Sequence, residues 1–350
     1  MSKTIFITGG CGFIGASLVK FYIKNKYKVI NIDSLTYAGN KKRIQSIEKN
    51  KNYFFYKIDI NNKKKISKLF YKYRPDCIYN LAAESHVDYS IDSPYPFIKA
   101  NILGTYNLLE SARVYFDSLN KSSKNKFRFI QVSTDEVYGS ISNKKKFTEE
   151  SRYQPSSPYS ATKASSDHLV KAWYKTFKLP TIVSNCSNNF GPFQSPEKYI
   201  PLIIINALNE KKIPIYGNGT QVRDWLFVED HIVALDKIFK KGKLGETYNI
   251  GSNNEITNFN IAKIICNVLD KKFKRTKKNS YKKLITFVKD RPGHDKRYAI
   301  NSNKISKLLG WSPINKFNPS INYTIDWYIE NHFWWKTLIK NKKNVQWMTK

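Results

Sequence analysis

The sequence predicts an α/β protein: a doubly wound parallel sheet joined to a smaller, loop-rich α/β lobe. Three observations carry this expectation. Short β-branched and aromatic runs alternate with longer amphipathic segments, a glycine cluster directly follows the first run, and an aspartate closes the second.

In chain order, 3–8, 28–33, 53–59, 77–83, 127–134 and 181–187 read as strands, because each is short and rich in β-branched and aromatic residues. Helices are expected between them. The segment after Gly12 places Ile14, Leu18 and Phe21 on one face, 62–73 is amphipathic, and 101–116 carries Ile102, Leu103, Tyr106, Leu109 and Val114. Beyond 180 the order is less regular, with Pro and Gly clusters at 191–201, 214–219 and 291–293. One domain is therefore expected over 1–180 and a second lobe over 181–350, with about 222–250 returning to the sheet. No internal repeat is present, and the aromatic tail 327–347 carries no readable motif.

At 350 residues, 41% hydrophobic and 15% aromatic, the chain is long enough to bury a sizeable core. Its longest uncharged apolar run, 202–208, is too short to span a bilayer, and the basic start leads into a strand-length segment that ends in glycines. Neither a membrane partner nor export is expected. Lys plus Arg number 60 against 27 Asp plus Glu, a net charge of +33 that alone would suggest nucleic acid. Only nine of the sixty are Arg, and the lysines are scattered through stretches such as 63–65, 144–146 and 271–278. Base and phosphate readout favours the arginine fork, so no nucleic-acid partner is expected, although the field would still attract an anionic small molecule. Cys11, Cys77, Cys186 and Cys266 lie far apart with no C-x-x-C pair, which indicates neither a metal site nor disulfides and fits a reducing cytoplasm.

The glycine cluster, Gly9-Gly10-Cys11-Gly12-Phe13-Ile14-Gly15, matches G-x-G-x-x-G from Gly10 and G-x-x-G-x-x-G from Gly9. Between a strand and a helix, such a turn lets backbone approach a pyrophosphate at the helix N-terminus. Asp33, at the end of the second strand, is placed to accept from ribose hydroxyls and to repel a 2′-phosphate, which favours NAD over NADP. Tyr159 and Lys163 stand four apart on one helix face, where the cation can pull the phenol down toward neutrality as a base for an alcohol. The bare Y-x-x-x-K pattern is common and gains weight only beside the glycine turn and Asp33. Ser133-Thr134-Asp135-Glu136 closes the strand 127–134; its two carboxylates either cap a turn or supply a general acid and a general base in one pocket.

These residues resemble the extended short-chain dehydrogenase/reductases, and within them the dTDP-glucose 4,6-dehydratases, over about 3–330. The likeness also rests on 33–40 (DSLTYAGN), 81–88 (LAAESHVD), 133–139 (STDEVYG), 157–168 (SPYSATKASSDH), 185–189 (NCSNN), 196–198 (PEK), 214–217 (PIYG), 223–225 (RDW) and 290–295 (DRPGHD). It implies a Rossmann domain holding NAD and a lobe holding a sugar nucleotide. Tyr159, with Lys163 and Thr134, would take the proton of the sugar's 4-hydroxyl while NAD accepts the C4 hydride. Glu136 would remove the C5 proton and Asp135 would protonate the departing C6 hydroxyl, after which hydride returns to C6. Cofactor contacts are implied for Gly9, Gly12, Phe13, Ile14, Gly15, Asp33, Leu35, Thr36, Asp59, Ile60, Ala82, Ala83, Ser85, Asn101, Tyr159, Lys163 and Asn189. Substrate contacts are implied for Ser85, Thr134, Asn188, Lys198, Tyr199, Pro214, Tyr216, Arg223, Asn258, Asp290, Arg291 and His294, with Arg223 and Arg291 clamping the pyrophosphate.

The likeness further implies a homodimer paired through 101–116 and 160–177. Departures from the family pattern are Cys11 in the glycine turn, Tyr89, Ala100 and a short 140–156 stretch; none removes a catalytic group. The rival readings are a UDP-glucose 4,6-dehydratase or 4-epimerase of the same fold and, in another class, a noncatalytic basic nucleotide- or nucleic-acid-binding protein. Epimerases share the glycine turn and the Tyr/Lys pair but generally lack the Asp-Glu doublet, and a mere binder has no need of all four groups.

Overall fold

A computed structural model describes residues 3–142 and 145–340. Seven parallel strands form the large sheet: β1 (Thr4–Thr8), β2 (Lys28–Asp33), β3 (Tyr53–Lys57), β4 (Cys77–Asn80), β5 (Arg128–Thr134), β6 (Thr181–Cys186) and, after three strands of the smaller lobe, β10 (Thr247–Ile250). Their order is β10-β6-β5-β4-β1-β2-β3, which reverses direction between β1 and β4. That reversal opens a crevice at the carboxyl ends of the strands, where such sheets bind ligands. The central strands β1, β4 and β6 are buried at every residue, because helices cover both faces of the sheet.

The expected helices form, with their faces turned. The helix Phe13–Lys24 buries Ala16, Leu18, Val19, Tyr22 and Ile23 and leaves Ile14 and Phe21 half-buried. The helix Gly104–Asp117 buries Leu108, Leu109, Ala112 and Tyr115, whereas Leu103, Tyr106 and Val114 are 47%, 41% and 45% exposed. A π-helical segment, Ile98–Leu103, runs directly into this helix and breaks the α-helical period at its start.

The smaller lobe holds β7 (Asn188–Phe190), β9 (Val222–Phe227) and β11 (Glu255–Thr257) in one sheet, and β8 (Ile213–Tyr216) with β12 (Ile285–Val288) in another. Of the segment 222–250, expected back in the large sheet, only β10 joins it; β9 pairs with β7 and β11. The strand β6, beyond the boundary expected at 180, also lies in the large sheet. The aromatic tail is core: Trp327, Tyr328, Trp334 and Trp335 pack with Phe190, Ile204 and Ile325 in the lobe's own cluster. Positions 341–350, with the tail's Trp347, and 143–144 of the short stretch lie outside the described residues.

The two lobes meet around Arg43, which is 1% exposed. Its Nη1 donates to the carbonyls of Cys11 (3.1 Å) and Ala38 (2.7 Å), Nε to the Phe193 carbonyl (2.9 Å) and Nη2 to Ser195 Oγ (2.7 Å). The guanidinium lies 5.4 Å from the ring centre of Trp334, so the C-terminal tail closes over the same cation. Replacing Arg43 by Met takes the guanidinium donor from Ser195 Oγ and from the Ala38 and Phe193 carbonyls, each costing up to about 1–3 kcal/mol, while the Cys11 carbonyl keeps the Asn40 N–H at 2.9 Å. We expect Arg43→Met to lose at least about 3 kcal/mol in urea unfolding, and Arg43→Lys to recover only part of it. A loss below about 1 kcal/mol would show that the strut is dispensable.

Candidate active site

A cavity of about 430 Å³ opens at the carboxyl ends of the strands. Its floor is the glycine turn. Gly9 adopts φ +69°, and a Cβ there would stand 2.8 Å from the Ala82 nitrogen; at Gly15 it would stand 2.2 Å from the Gly9 carbonyl oxygen. Both positions are therefore restricted to glycine by close backbone packing. At Gly12 a Cβ would meet only the Gly9 oxygen, at 3.1 Å, so this residue presents bare backbone to the cavity. Asp33 faces the turn. Its Oδ2 accepts from Cys11 N (2.9 Å) and its Oδ1 from Leu35 N (2.7 Å), while Leu35 takes φ +57° to make that turn. Burial pushes the Asp33 carboxyl up, opposed by those two N–H groups and by Arg43. A bare-backbone cradle with a fixed carboxylate at the rim fits a dinucleotide with free ribose hydroxyls.

Opposite the turn, Thr134, Asp135, Glu136, Tyr159 and Lys163 all line the cavity. The first ends β5, the next two open a 3₁₀ turn, Asp135–Tyr138, and the last two lie on the helix Pro158–Phe177, whose start is fixed by a Ser157/Ser160 capping box. Thr134 Oγ1 accepts from Glu136 N (3.3 Å) and contacts Asp135 Oδ1 (3.4 Å), while Asp135 Oδ2 is buried without a partner among the described residues. Burial drives the Asp135 carboxyl well above the carboxylate range, and Glu136 and Asp224 add to the rise. Burial raises Glu136 as well, but Arg291, Arg223 and Lys198 hold it down. The two neighbours are thus separated by their surroundings: like charges add to the rise at Asp135, while three cations oppose it at Glu136. The Tyr159 phenol is held well above its ordinary value, first by burial and then by Glu136 and Cys186, opposite to the shift expected from Lys163. Lys163 is itself pulled down by burial and donates to the Val132 carbonyl at 2.8 Å.

Of the other expected cofactor contacts, Phe13, Ile14, Thr36, Asp59, Ile60, Ala82, Ala83, Ser85 and Asn189 line the cavity; Leu35 and Asn101 do not. Asn101 instead holds the wall, its amide bonding Glu84 N (2.9 Å), the Glu84 carbonyl (3.1 Å) and Thr162 Oγ1 (2.9 Å). Of the expected substrate contacts, Ser85, Thr134, Asn188 and Lys198 line the cavity, and Lys198 Nζ donates to the Ser85 carbonyl at 2.8 Å. Tyr216, Asp290, Arg291 and His294 assemble nearby around Asp88, which accepts from Tyr216 Oη (3.2 Å) and Arg291 Nη1 (3.0 Å), while His294 meets Asp290 at 2.6 Å. Arg223 stacks 4.1 Å from the Tyr298 ring centre, with its Nη groups on the Val222 and Asp295 carbonyls. Pro214 lies in β8, and Tyr199 stacks on Trp225 and bonds the Asn258 carbonyl (2.8 Å); Pro214, Tyr199 and Asn258 do not line the cavity.

The family profile described as GDP-mannose 4,6 dehydratase matches residues 6–324. The dTDP-glucose 4,6-dehydratase of Salmonella typhimurium is 52% identical over 340 residues, 94% of each chain. Among solved structures, the dTDP-glucose 4,6-dehydratase of Bacillus anthracis in complex with NAD superposes with a TM-score of 0.86 at 43% identity, covering 96% of this chain and all of that one. The enzyme of the same name from Streptomyces venezuelae, solved with NAD bound, has a TM-score of 0.88 at 36% identity, covering 96% of this chain and 99% of that one. The chain belongs to the dTDP-glucose 4,6-dehydratase family.

The dehydratase-family cavity also contains groups the sequence did not single out. Glu84 and Glu197 both line it; burial pushes Glu84 up to about 7 against the pull of Lys198 and Tyr37, and raises Glu197 against Lys198 and Arg43. His231, buried and held down to about 3 by desolvation, stays neutral and meets Asn189 Oδ1 through Nδ1 at 3.0 Å. Glu84 was within reach, since it interrupts an otherwise small and apolar strand exit. His231 carries no local signal, because its partner lies 42 residues away.

The glycine geometry separates two variants. Gly15→Ala drives a methyl into the Gly9 carbonyl and should lower the melting temperature together with NAD binding. Gly12→Ala should fold normally and lose only the stabilisation that added NAD confers in a thermal-shift titration. Equal behaviour of the two would contradict the cradle.

Proposed function

We propose that the chain dehydrates dTDP-glucose to dTDP-4-dehydro-6-deoxyglucose with NAD as its retained cofactor, in deoxysugar synthesis of the dTDP-rhamnose type. The observation that carries this reading is the convergence of Thr134, Asp135, Glu136, Tyr159 and Lys163 on the cavity that begins at the glycine turn. NAD, held against Gly9, Gly12, Phe13, Ile14 and Asp33, would supply the ring that takes hydride from the sugar and gives it back. In the loaded site Lys163, together with the cationic NAD ring, would favour the Tyr159 phenolate against the burial that opposes it, and that phenolate accepts the proton of the C4 hydroxyl while Thr134 bonds the same oxygen. With C4 a ketone the C5 proton is acidic, and Glu136, kept titratable by three cations, removes it. Asp135 has retained its proton and passes it to the C6 hydroxyl, which leaves as water. Arg291, whose buried Nε has no partner among the described residues, is a candidate for the diphosphate, with Lys198 at the inner wall.

The localisation proposed is cytoplasmic: the four cysteines are free and buried, and among the described residues no helix is long and apolar enough to cross a membrane. A homodimer is supported by the helices Gly104–Asp117 and Pro158–Phe177, around which Leu103, Tyr106, Val114 and Phe177 are all more than 40% exposed. The Tyr106, Trp173 and Phe177 rings form one continuous aromatic row between them. An exposed aromatic row of this kind, edged by Glu110 on Trp173 and Arg113 over Phe177, fits a second copy of the chain.

Incubation with dTDP-glucose or UDP-glucose, without added reductant, should yield a product lighter by one water from the former; an isomer of unchanged mass would indicate an epimerase instead. Glu136→Gln should lower product formation by about 10²- to 10⁴-fold and abolish solvent deuterium exchange at C5. Asp135→Asn should slow water loss but keep that exchange. Because Glu136 must be ionised to act and its carboxyl is raised, exchange in Asp135→Asn should fall with decreasing pH through a midpoint above the ordinary carboxylate range. The reverse pattern of exchange would swap the two roles.

Charging the exposed face tests assembly. Leu103→Glu combined with Tyr106→Glu should convert a dimer to a folded monomer in light scattering. An unchanged mass would place any interface elsewhere.

A further inference from the structure

One buried ionisable group beside the cavity has no part in the chemistry above. The helix Pro158–Phe177 carries Tyr159, Lys163, Asp167 and Lys171 at successive intervals of four, a stripe running from the cavity toward the surface. Asp167 is fully buried. Its Oδ2 accepts from Ser133 Oγ (2.7 Å) and from Tyr153 Oη (3.2 Å), while its Oδ1 has no partner among the described residues. Tyr153 in turn accepts from Asn185 Nδ2 (3.1 Å) and from Lys171 Nζ (3.4 Å). Donors thus converge on Asp167 from β5, from the loop before the helix and, through Tyr153, from β6 and the outer helix. The donors on Oδ2 favour the ionised form against the burial that opposes it.

Lys163 needs such a partner. Its ammonium is buried and donates to the Val132 carbonyl, a neutral acceptor that leaves its charge uncompensated. Facing it are Asp167 one turn along, Cys186 of β6 and Tyr159 at the cavity. Facing Asp167 are Lys163, Lys171, Ser133 and Tyr153, with Tyr138 behind Tyr153. The elements packed on the other side bring Asp88, Asp92, Lys99 and Glu110; Glu110 is bonded to Arg113 and Trp173, and Asp88 to Tyr216 and Arg291.

We propose that Asp167 is a positioning residue for the Tyr159/Lys163 pair: its buried carboxylate is the counter-charge that keeps Lys163 cationic beneath the cavity. The balance of forces agrees. Burial lowers Lys163 and Asp167 is the first group opposing it; burial raises Asp167 to about 6, and Lys163 is the first group opposing that. Each of the two thus favours the charged form of the other, which is the field a phenol base requires. No proton is transferred between the two. The product is a 4-ketone, so the proton Tyr159 gains is balanced by the one Asp135 gives to the departing water; neither involves Asp167, and the stripe has only to fix a field.

This inference rests on the proposed roles of Tyr159 and Lys163, so its first readout needs neither substrate nor cofactor. In the ligand-free protein, trace acetylation across pH, read at Lys163 by peptide mass spectrometry, reports the uncharged fraction of that amine. Wild type should keep Lys163 protonated through neutral pH. Asp167→Asn should lower its midpoint by about one unit or more, and Asp167→Glu should restore it. The alkaline limb of turnover with dTDP-glucose and NAD should move down with it in Asp167→Asn, a displacement that a purely structural role would not produce. An unchanged Lys163 midpoint in Asp167→Asn overturns the proposal. So does a wild-type Lys163 that titrates below neutrality, which decides the matter even if the variant does not fold. Full turnover in Tyr159→Phe with the acetylation shift intact would refute the catalytic assignment alone.

Discussion

The site depends on a buried guanidinium. Arg43 has no carboxylate within ion-pair distance among the described residues; three carbonyls and one hydroxyl, two on each lobe's side, surround it instead. Desolvation lowers its pKa, with Glu197 the first group opposing, yet a guanidinium keeps its charge under such pressure where an ammonium would not. The fork therefore fixes the carbonyls of the glycine turn and of the 193–195 loop at one set of distances. The cavity between them inherits that geometry. The joint lies between the apolar cores on the two faces of the large sheet and the separate core of the smaller lobe.

The joint also gives the C-terminal helices a role. Trp334 covers Arg43, Phe193 sits between Trp327 (4.4 Å between ring centres) and Trp334 (5.6 Å), and Tyr328 Oη bonds the Gln194 carbonyl. Residues 317–340 thus brace the loop whose next members, Ser195, Glu197 and Lys198, face the cavity. A tail without a motif contributes through packing, which has no sequence signature beyond apolar spacing.

The chemistry was legible where one local rule decides it. The glycine turn, Asp33 and the Asp135-Glu136 doublet each sit at a strand exit, and strand exits were placed to within a few residues. Faces and partners were less legible. Within Gly104–Asp117 the face that buries Leu108, Leu109, Ala112 and Tyr115 leaves Tyr106 and Val114 outward, and the π-helical segment Ile98–Leu103 breaks the period between this helix and what precedes it. The strand β9 has the composition of a sheet strand, but which sheet it joins is set by β7 and β11. Tyr159 shows the same limit in electrostatics. The spacing to Lys163 is visible in the sequence, but the desolvation that outweighs it depends on everything packed around the pair.

Arginine usage bears on how the positive charge is to be understood. Lysine is the default cation of this chain, with nine arginines among sixty basic residues. Arg43, Arg223 and Arg291 lie at the joint or around Glu136, and Arg113, Arg275 and Arg297 pair with Glu110, Glu210 and Glu255. Where the fold needs a cation that bonds several acceptors in fixed directions, the chain uses Arg; where it needs only a solvated charge, it uses Lys. The large net charge is therefore a property of the solvated surface and can raise the encounter rate of any anion. Selectivity has to come from the few cations the interior holds in place, and those are set by the same contacts that split Asp135 from Glu136.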